Sequence, residues 1–236
     1  MRFNMEWKNS IIENLKWATE ISNRQAKEKI AKEVADQVRD GETIGFGSGS
    51  TSFLAILAIG EKIAREGFHI KAITTSHEMN MTCLKLGIPT VSFLEARPDW
   101  CFDGADEVDS NKSLIKGRGG AMFKEKLVMA SSSRSYILVD ESKFVEKLGE
   151  KFAVPIEVVP MALNSIETPL EGLGATELNL RMATKKDGPV ITENGNLIVD
   201  TKFQEISLDH EKSIKQIPGV LDSGLFIDYN IEVLSV

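Results

Sequence analysis

Thiol and imidazole are scarce in this sequence: 236 residues contain two cysteines and three histidines. Cys83 and Cys101 form neither a CxxC pair nor any metal-ligand spacing, and a secreted disulfide scaffold would carry more. They read as two reduced thiols of a cytosolic protein, and Cys101 sits inside an apolar run where burial explains it. His69, His77 and His210 lie in no motif. No Ser–His–Asp arrangement stands out, although His77 follows a predicted strand end and could face a crevice. Positive charge is also short. Lysine and arginine total 28 against 35 aspartates and glutamates, for a net charge of −7. That balance gives a nucleic-acid partner no electrostatic footprint. No apolar run approaches the ~18 residues of a membrane span. Met1 to Ala18 are polar and mixed in charge, without the apolar stretch of a signal peptide. The expectation is a cytoplasmic protein with no membrane or nucleic-acid partner.

Apolar residues make up 42% and charged residues 27%, an ordinary globular composition. The length suits one large domain, or a main domain with a small one. Ala26, Ile30, Val34 and Val38 recur every four residues and predict an amphipathic helix over 24–40, stopped by Gly41. Strands are expected at 43–46, 69–76, 89–94, 100–102 and 135–140, with helices over 51–66, 77–86 and 120–131. This alternation implies an α/β fold with a mainly parallel sheet flanked by helices, Rossmann-like, whose ligands sit at loops leaving strand C-termini. After residue 150 the pattern changes. Strands at 156–160, 177–183, 197–203 and 220–227 and helices over 161–172, interrupted at Pro169, and 209–217 give the order β-α-β-β-α-β. That order predicts a smaller ferredoxin-like α+β domain. The expected division is a main domain of residues 1–148 with 227–236, the last strand returning to its sheet, and a small domain of 149–226. Phe3, Trp7, Ile11, Leu15 and Ala18 also fall at helical spacing and suggest an N-terminal helix that packs on a neighbour.

Four segments fall at the loops that leave the predicted strands. The first is GFGSGST, residues 45–51, between a strand and a helix. Its glycines permit a tight turn, and its backbone N–H groups and the hydroxyls of Ser48, Ser50 and Thr51 suit an anion. Ser50 stands where a dinucleotide fingerprint needs glycine, and no lysine follows as a Walker motif requires. A plain serine-capped turn remains the other reading. The second is DWCFDGADEVD, residues 99–109, with Asp99, Asp103, Asp106, Glu107 and Asp109. The spacing is not that of an EF-hand and no histidine is near, which weakens a metal site. Crowded carboxylates raise one another's pKa, so one stays protonated for acid–base work on hydroxyls. The bland alternative is a solvated acidic turn.

The third segment is LIKGRGGAMFKEK, residues 114–126. Lys116 beside glycine-rich backbone can hold a developing oxyanion. Glu125 follows on the first helical turns, on the sheet side if Met122 and Leu127 point toward the core. There, partial burial would make it a proton-abstracting base, whereas a lone helical glutamate is more often on the surface. The fourth is VDESKFVEKLG, residues 139–149, where Lys143 ends a loop that opens on the same crevice and suits a phosphate.

In this order the four segments resemble the A type of ribose-5-phosphate isomerase. The match runs from about Lys27 to Phe226. It includes TTSHEM, DGADEVD, IKGRGGA with its downstream EK, DESK, PIEVVP, TENGN and IPGV followed by GLF. The resemblance implies an aldose–ketose isomerase that interconverts ribose 5-phosphate and ribulose 5-phosphate through an enediolate, with no metal and no organic cofactor. It implies that Glu125 moves a proton between C1 and C2 and that Lys116 steadies the enediolate. Asp103 and Asp106 would handle ring opening and the sugar hydroxyls. The loop Ser48, Gly49, Ser50 and Thr51, with Gly104, Ala105, Gly117, Arg118 and Gly119, would hold the substrate, and Lys143 and Lys27 would stand on its phosphate side. A homodimer or homotetramer is expected on the same ground. With a net charge of −7, such a phosphate site must build its own local positive field.

Three departures accompany the match. Ser48 replaces a commoner threonine, Arg118 replaces a commoner glycine, and the chain begins with about 20 additional residues and stops soon after Phe226, so an altered last strand and helix are expected. Two competing readings are a sugar-phosphate sensor and another enzyme of similar fold. A sensor would need a DNA-binding module that residues 1–22 are too short to form. An amino-sugar phosphate deaminase would need a histidine in the crevice, and a CoA transferase would use a glutamate as nucleophile.

Overall fold

Ile44 and Phe46, Trp100 and Phe102, and Tyr136 and Leu138 alternate with Gly45, Cys101, and Ile137 and Val139, and in the computed structural model the two sets face opposite sides of one sheet. The structure describes residues 10–17 and 20–236. The sheet contains β1 (Thr43–Phe46), β2 (Lys71–Thr74), β3 (Trp100–Gly104), β6 (Ser135–Val139) and β12 (Ile231–Ser235) in the order β12-β6-β3-β1-β2. Every pairing in it is parallel. Helices α2 (Arg24–Asp36), α3 (Gly49–Glu66) and α4 (His77–Lys85) cover the first face through Ile30, Val34, Leu54, Ile56, Met79 and Cys83. Helix α5 (Met122–Ser131) covers the other through Val128 and Met129. Burial of both faces explains why the strands read as continuous apolar runs.

From β1 the chain steps outward to β2, then crosses back so that β3 lies on the other side of β1. The C-terminal ends of β1 and β3 therefore flank the point where the winding direction reverses, and ligands of open parallel sheets bind in the crevice formed there. Gly47 and Asp103 leave these two ends side by side.

Two antiparallel sheets complete the chain. β7 (Val154–Val158), β8 (Ala175–Leu180), β9 (Leu197–Phe203) and β10 (Val220–Ser223) are ordered β10-β7-β9-β8. With α6 (Glu167–Gly172) and α7 (His210–Lys215) they form the ferredoxin-like β-α-β-β-α-β unit, with its own core around Ile156, Val158, Leu170, Val199 and Ile214. β4 (Glu107–Val108), β5 (Leu114–Ile115) and β11 (Leu225–Phe226) form a small third sheet, which the sequence pattern did not predict because each strand has two residues.

Several expected boundaries move for local reasons. Residues 89–94 are not a strand. Thr90 makes one bridge to Ala72, and Ser92 then turns the chain by donating its N–H and hydroxyl to Glu95. The expected strand 220–227 divides at Gly224 between two sheets. Residues 160–165 are a 3₁₀ helix, and Pro169 sits in the first turn of α6, where its missing N–H leaves no intrahelical bond unmade. Helix α2 ends at Asp36, with Gln37 and Val38 closing a tighter last turn. The last strand is intact: β12 pairs with β6 over five residues. Of the N-terminal stripe, Phe3, Trp7 and Ala18 lie outside the described residues. Helix α1 (Ser10–Glu13) leaves Ile11 88% exposed, while Trp17 packs against Phe53.

Candidate active site

A cavity of about 230 Å³ opens at the reversal point of the sheet. It is lined by Ser48, Gly49, Ser50 and Thr51 after β1, Asp103, Gly104, Ala105 and Asp106 after β3, and Lys116, Gly117, Arg118 and Gly119 after β5. Glu125 of α5, Lys27 of α2, Lys143 and Ser22 complete it. All fifteen residues singled out in the sequence therefore face one volume, and Ser22 joins them. Two wider clefts, of about 920 and 1080 Å³, lie along α7 and the 146–150 loop. The small cavity is the candidate site, because it holds the buried Lys27, Asp103, Lys116 and Glu125, whose charges are only partly neutralised. In the first wide cleft the buried Lys126 is already paired with Glu211 and Asp222.

Asp103 is the best-anchored group of the site. Its Oδ1 accepts the N–H of Ser48 at 3.1 Å, that of Gly104 at 2.8 Å and the Ser52 hydroxyl at 3.4 Å. Its Oδ2 lies 2.9 Å from Lys116 Nζ. Close approach of β1 makes this possible: a Cβ on Gly47 would come within 2.3 Å of Asp103 Cγ, so only glycine fits there. Lys116 is 3% exposed and also donates to the Gly104 carbonyl. Burial pushes its ammonium pKa down, but the charges of Asp103, Glu125 and Asp106 outweigh that and hold it above the ordinary lysine value.

Glu125 occupies the first turn of α5 and is 6% exposed. Its Oε2 stands 3.4 Å from Lys116 Nζ and, among the described residues, makes no hydrogen bond. Burial first, then the charge of Asp103, push its carboxyl pKa up to about 8 against the opposing pull of Lys116. The premise that Met122 and Leu127 both face inward is half right. Met122 is buried, Leu127 is 40% exposed, and the inner face of α5 continues through Val128 and Met129. Asp106, half-buried, is also raised by burial, with Lys116, Arg118 and Lys143 opposing.

One end of the cavity is built from α3 and α2. Gly49, Ser50 and Thr51 form the first turn of α3, whose N–H groups have no intrahelical acceptor. Lys27 Nζ reaches Ser50 Oγ at 3.1 Å and Ser22 Oγ at 3.4 Å. Its pKa is lowered by burial, with Lys143 adding to the effect and Asp140 opposing it. The Ser48 hydroxyl is engaged by Thr75 Oγ1 at 2.6 Å. Arg118 is exposed and lies over the Phe152 ring at 4.8 Å, with Lys143 over the same ring at 5.7 Å.

The acidic run does not act as one cluster. Only Asp103 and Asp106 line the cavity. Asp99 accepts the Thr43 N–H, and Asp109 caps its own turn through Asn111 and Ser113. Glu107, 0% exposed, accepts backbone N–H groups from Gly149, Lys151 and Phe152 and so fastens the entry to the ferredoxin-like unit. Among the described residues, no group of three His, Cys, Asp or Glu side chains is disposed to hold a metal ion. No histidine lines the cavity, and His77 is drawn to Glu193, which accepts its N–H at 2.7 Å. The deaminase reading thereby loses its ring-opening group. Cys101 is buried and its thiol pKa is raised by that burial, which leaves it inert. Sequence reasoning passed over Arg181, which reaches the carbonyls of Gly117 and Arg118 from beyond β8; no motif marks it.

Known proteins match along most of the chain. The family profile of ribose 5-phosphate isomerase A (phosphoriboisomerase A) matches residues 71–235. The ribose-5-phosphate isomerase A of Thermococcus kodakarensis is 45% identical over 209 residues, which cover 86% of this chain and 90% of the relative. The solved ribose 5-phosphate isomerase A of Methanocaldococcus jannaschii superposes with a TM-score of 0.87 at 42% identity, covering 91% of this chain and 95% of its own. A D-ribose-5-phosphate isomerase in complex with phospho-erythronic acid superposes with a TM-score of 0.86 at 39% identity, covering 91% and 96%. By its fold, its site and these matches, the chain belongs to the ribose 5-phosphate isomerase A family.

Proposed function

We propose that this protein interconverts D-ribose 5-phosphate and D-ribulose 5-phosphate, with Glu125 as the base that moves the proton and Lys116 as the cation that holds the intermediate. The observation that carries the reading is the buried Glu125 Oε2, without a hydrogen-bond partner and 3.4 Å from Lys116 Nζ. A carboxylate with an uncommitted oxygen in a dry site is a competent base. The adjacent ammonium is placed to stabilise negative charge where it develops.

The steps follow from carbonyl chemistry. Ionised Glu125 takes the proton from C2 of the open-chain aldose. The electron pair moves to form the C1–C2 double bond, and the carbonyl oxygen becomes an oxyanion beside Lys116. A proton passes from the C2 hydroxyl to the C1 oxygen, and Glu125 returns its proton to C1, which leaves a ketone at C2. Asp103 and Asp106 serve ring opening and orient the hydroxyls. Lys27, Lys143 and the N-terminus of α3 receive the phosphate, supplying the local positive field that a chain of net charge −7 otherwise lacks. The proposal calls on no metal and no organic cofactor. It is supported by the complex of a relative with phospho-erythronic acid, which carries a carboxylate at one end and a phosphate at the other. Among the described residues no helix is long and apolar enough to cross a membrane, and we place the enzyme in the cytoplasm as a homodimer or homotetramer.

The test is turnover of ribose 5-phosphate in EDTA by the wild type and by Glu125→Gln. General-base removal costs about 10²–10⁴ in rate, so kcat falls by that order while substrate affinity by calorimetry stays within a few-fold. Full activity in the variant would remove Glu125 from its role, and an inactive wild type would remove the substrate.

A further inference from the structure

The loop that carries Lys116 turns on residues poorly suited to hold it. Gly117 and Gly120 both have positive φ, +97° and +79°, and the turn is closed by the Gly120 N–H bonding to the Gly117 carbonyl at 3.0 Å. Glycine reaches such conformations without strain but also leaves them easily. An outside group fixes this turn. Arg181 Nη1 donates to the Gly117 carbonyl at 3.0 Å and to the Arg118 carbonyl at 2.9 Å. The other edge of its guanidinium is held by Asp200, with Nε donating to Oδ2 at 2.8 Å and Nη2 to Oδ1. Asp200 lies in the middle of β9, paired with β7 and β8, so the clamp is mounted on the sheet of the ferredoxin-like unit.

Peptide planarity carries this contact into the cavity. In a trans peptide the C=O and N–H point in opposite directions, and among the described residues no peptide bond is cis. When the carbonyls of Gly117 and Arg118 are drawn to Arg181, the N–H groups of Arg118 and Gly119 face away from it. The first points toward Asp106 Oδ2 at 3.4 Å, and both residues line the cavity.

We propose that Arg181, oriented by Asp200, is a positioning residue that sets the direction of the Arg118 and Gly119 N–H groups and the seat of Lys116. The ferredoxin-like unit thereby takes part in the chemistry without touching the substrate. The effect on turnover rests on the function proposed above, whereas the effect on the loop does not.

Three variants test this: Arg181→Ala, Arg181→Lys and Asp200→Asn. The first readout is amide hydrogen exchange across residues 117–120, which needs no activity. It is expected to quicken by about tenfold or more in Arg181→Ala while the sheet amides keep their protection. The second is a kinetic split. A catalytic loop set loose costs on the order of 10²-fold in rate, so kcat for ribose 5-phosphate falls about ten- to hundredfold. Competitive inhibition by inorganic phosphate stays within about twofold, because Lys27 and α3 are untouched. Arg181→Lys keeps the charge but lacks the planar fork and stays impaired. Asp200→Asn shifts both readouts the same way by less, and adding it to Arg181→Ala changes nothing further. Unchanged exchange at 117–120 in the folded variants overturns the proposal. So does a kcat loss matched by an equal loss of phosphate affinity, or restored by Arg181→Lys. A wild type inactive on ribose 5-phosphate would strike the functional reading alone, and the exchange result would still decide for or against the clamp.

Discussion

Lys116 Nζ stands between two carboxylates, 2.9 Å from Asp103 and 3.4 Å from Glu125, and only the first has a full set of hydrogen bonds. One cation shared this way cannot satisfy both anions at the cost of a buried site. The arrangement holds Asp103 in place through its bonds and leaves Glu125 Oε2 without one.

The pH dependence follows. Below its pKa, Glu125 carries a proton and cannot accept one from C2. With that pKa pushed up to about 8 in the ligand-free enzyme, kcat/KM should rise about tenfold per pH unit through the neutral range and level off in the alkaline range. Lys116, held above the ordinary lysine value, stays charged throughout. The substrate phosphate titrates near about 6 and gives a separate, lower limb. Rates from pH 5.5 to 9.5 at constant ionic strength distinguish them. A plateau already complete at pH 6.5 would mean that the base is not Glu125.

The same carboxyl makes a prediction about stability. Its folded-state pKa lies above the unfolded value of 4.5, so between those values the folded state binds the extra proton. Stability from this group is therefore present at low pH and is lost as pH rises through the folded pKa. Glu125→Gln abolishes that loss. It should melt above the wild type at pH 9, by at least about 3 °C at the usual 2–4 °C per kcal/mol for this chain length. The gap should narrow toward pH 5. A variant less stable than the wild type at pH 9 would contradict the burial argument.

Much of this was legible in the sequence, for a physical reason: the parallel sheet demands apolar strands and short glycine-rich loops at one end, and Ser48, Asp103 and Lys143 each fall within a few residues of such a strand end, whereas Lys116 follows the two-residue strand β5 and was marked by its glycine-rich loop. Glu125 was legible only through its place on the first helical turns after the glycine-rich loop and through the family resemblance, since a helical glutamate has no signature of its own. What failed depended on contacts distant in the chain. Glu107 looks like its acidic neighbours, but its partners are backbone N–H groups more than 40 residues away. Arg181 meets Gly117 across 64 residues. The strands β4, β5 and β11 are too short to show any period.

Glu107 therefore separates folding from chemistry inside one motif. Its buried carboxylate accepts three backbone N–H groups at 2.6–2.7 Å, and hydrogen bonds to a charged group contribute about 1.5–3 kcal/mol each before overlap. Glu107→Ala should cost about 3–5 kcal/mol and lower Tm by on the order of 10 °C. Activity per folded molecule at low temperature should stay within about twofold, since the side chain does not reach the cavity. Calorimetry with active-site titration reads both. A specific loss of kcat in the folded fraction would give Glu107 a part in the chemistry.

Gly47 offers the reverse case, a residue without a side chain whose replacement should act on the chemistry. It donates its N–H to the Phe102 carbonyl at 2.9 Å, which locks it beside Asp103. An alanine Cβ would lie 2.3 Å from Asp103 Cγ and 2.6 Å from its Cβ, so the carboxylate must swing away from Ser48, Gly104 and Lys116. Overpacking of this kind costs about 1–3 kcal/mol of stability. The kinetic consequence has a definite sign. Asp103 is the main charge that raises Glu125, and displacing it frees Lys116 to pair with Glu125 more fully. Gly47→Ala should therefore lower kcat by about 10² and move the midpoint of the acid limb of kcat/KM to lower pH. A variant that lost activity only by unfolding would keep the wild-type midpoint in its residual rate, so the pH profile separates a strained fold from a displaced counter-ion.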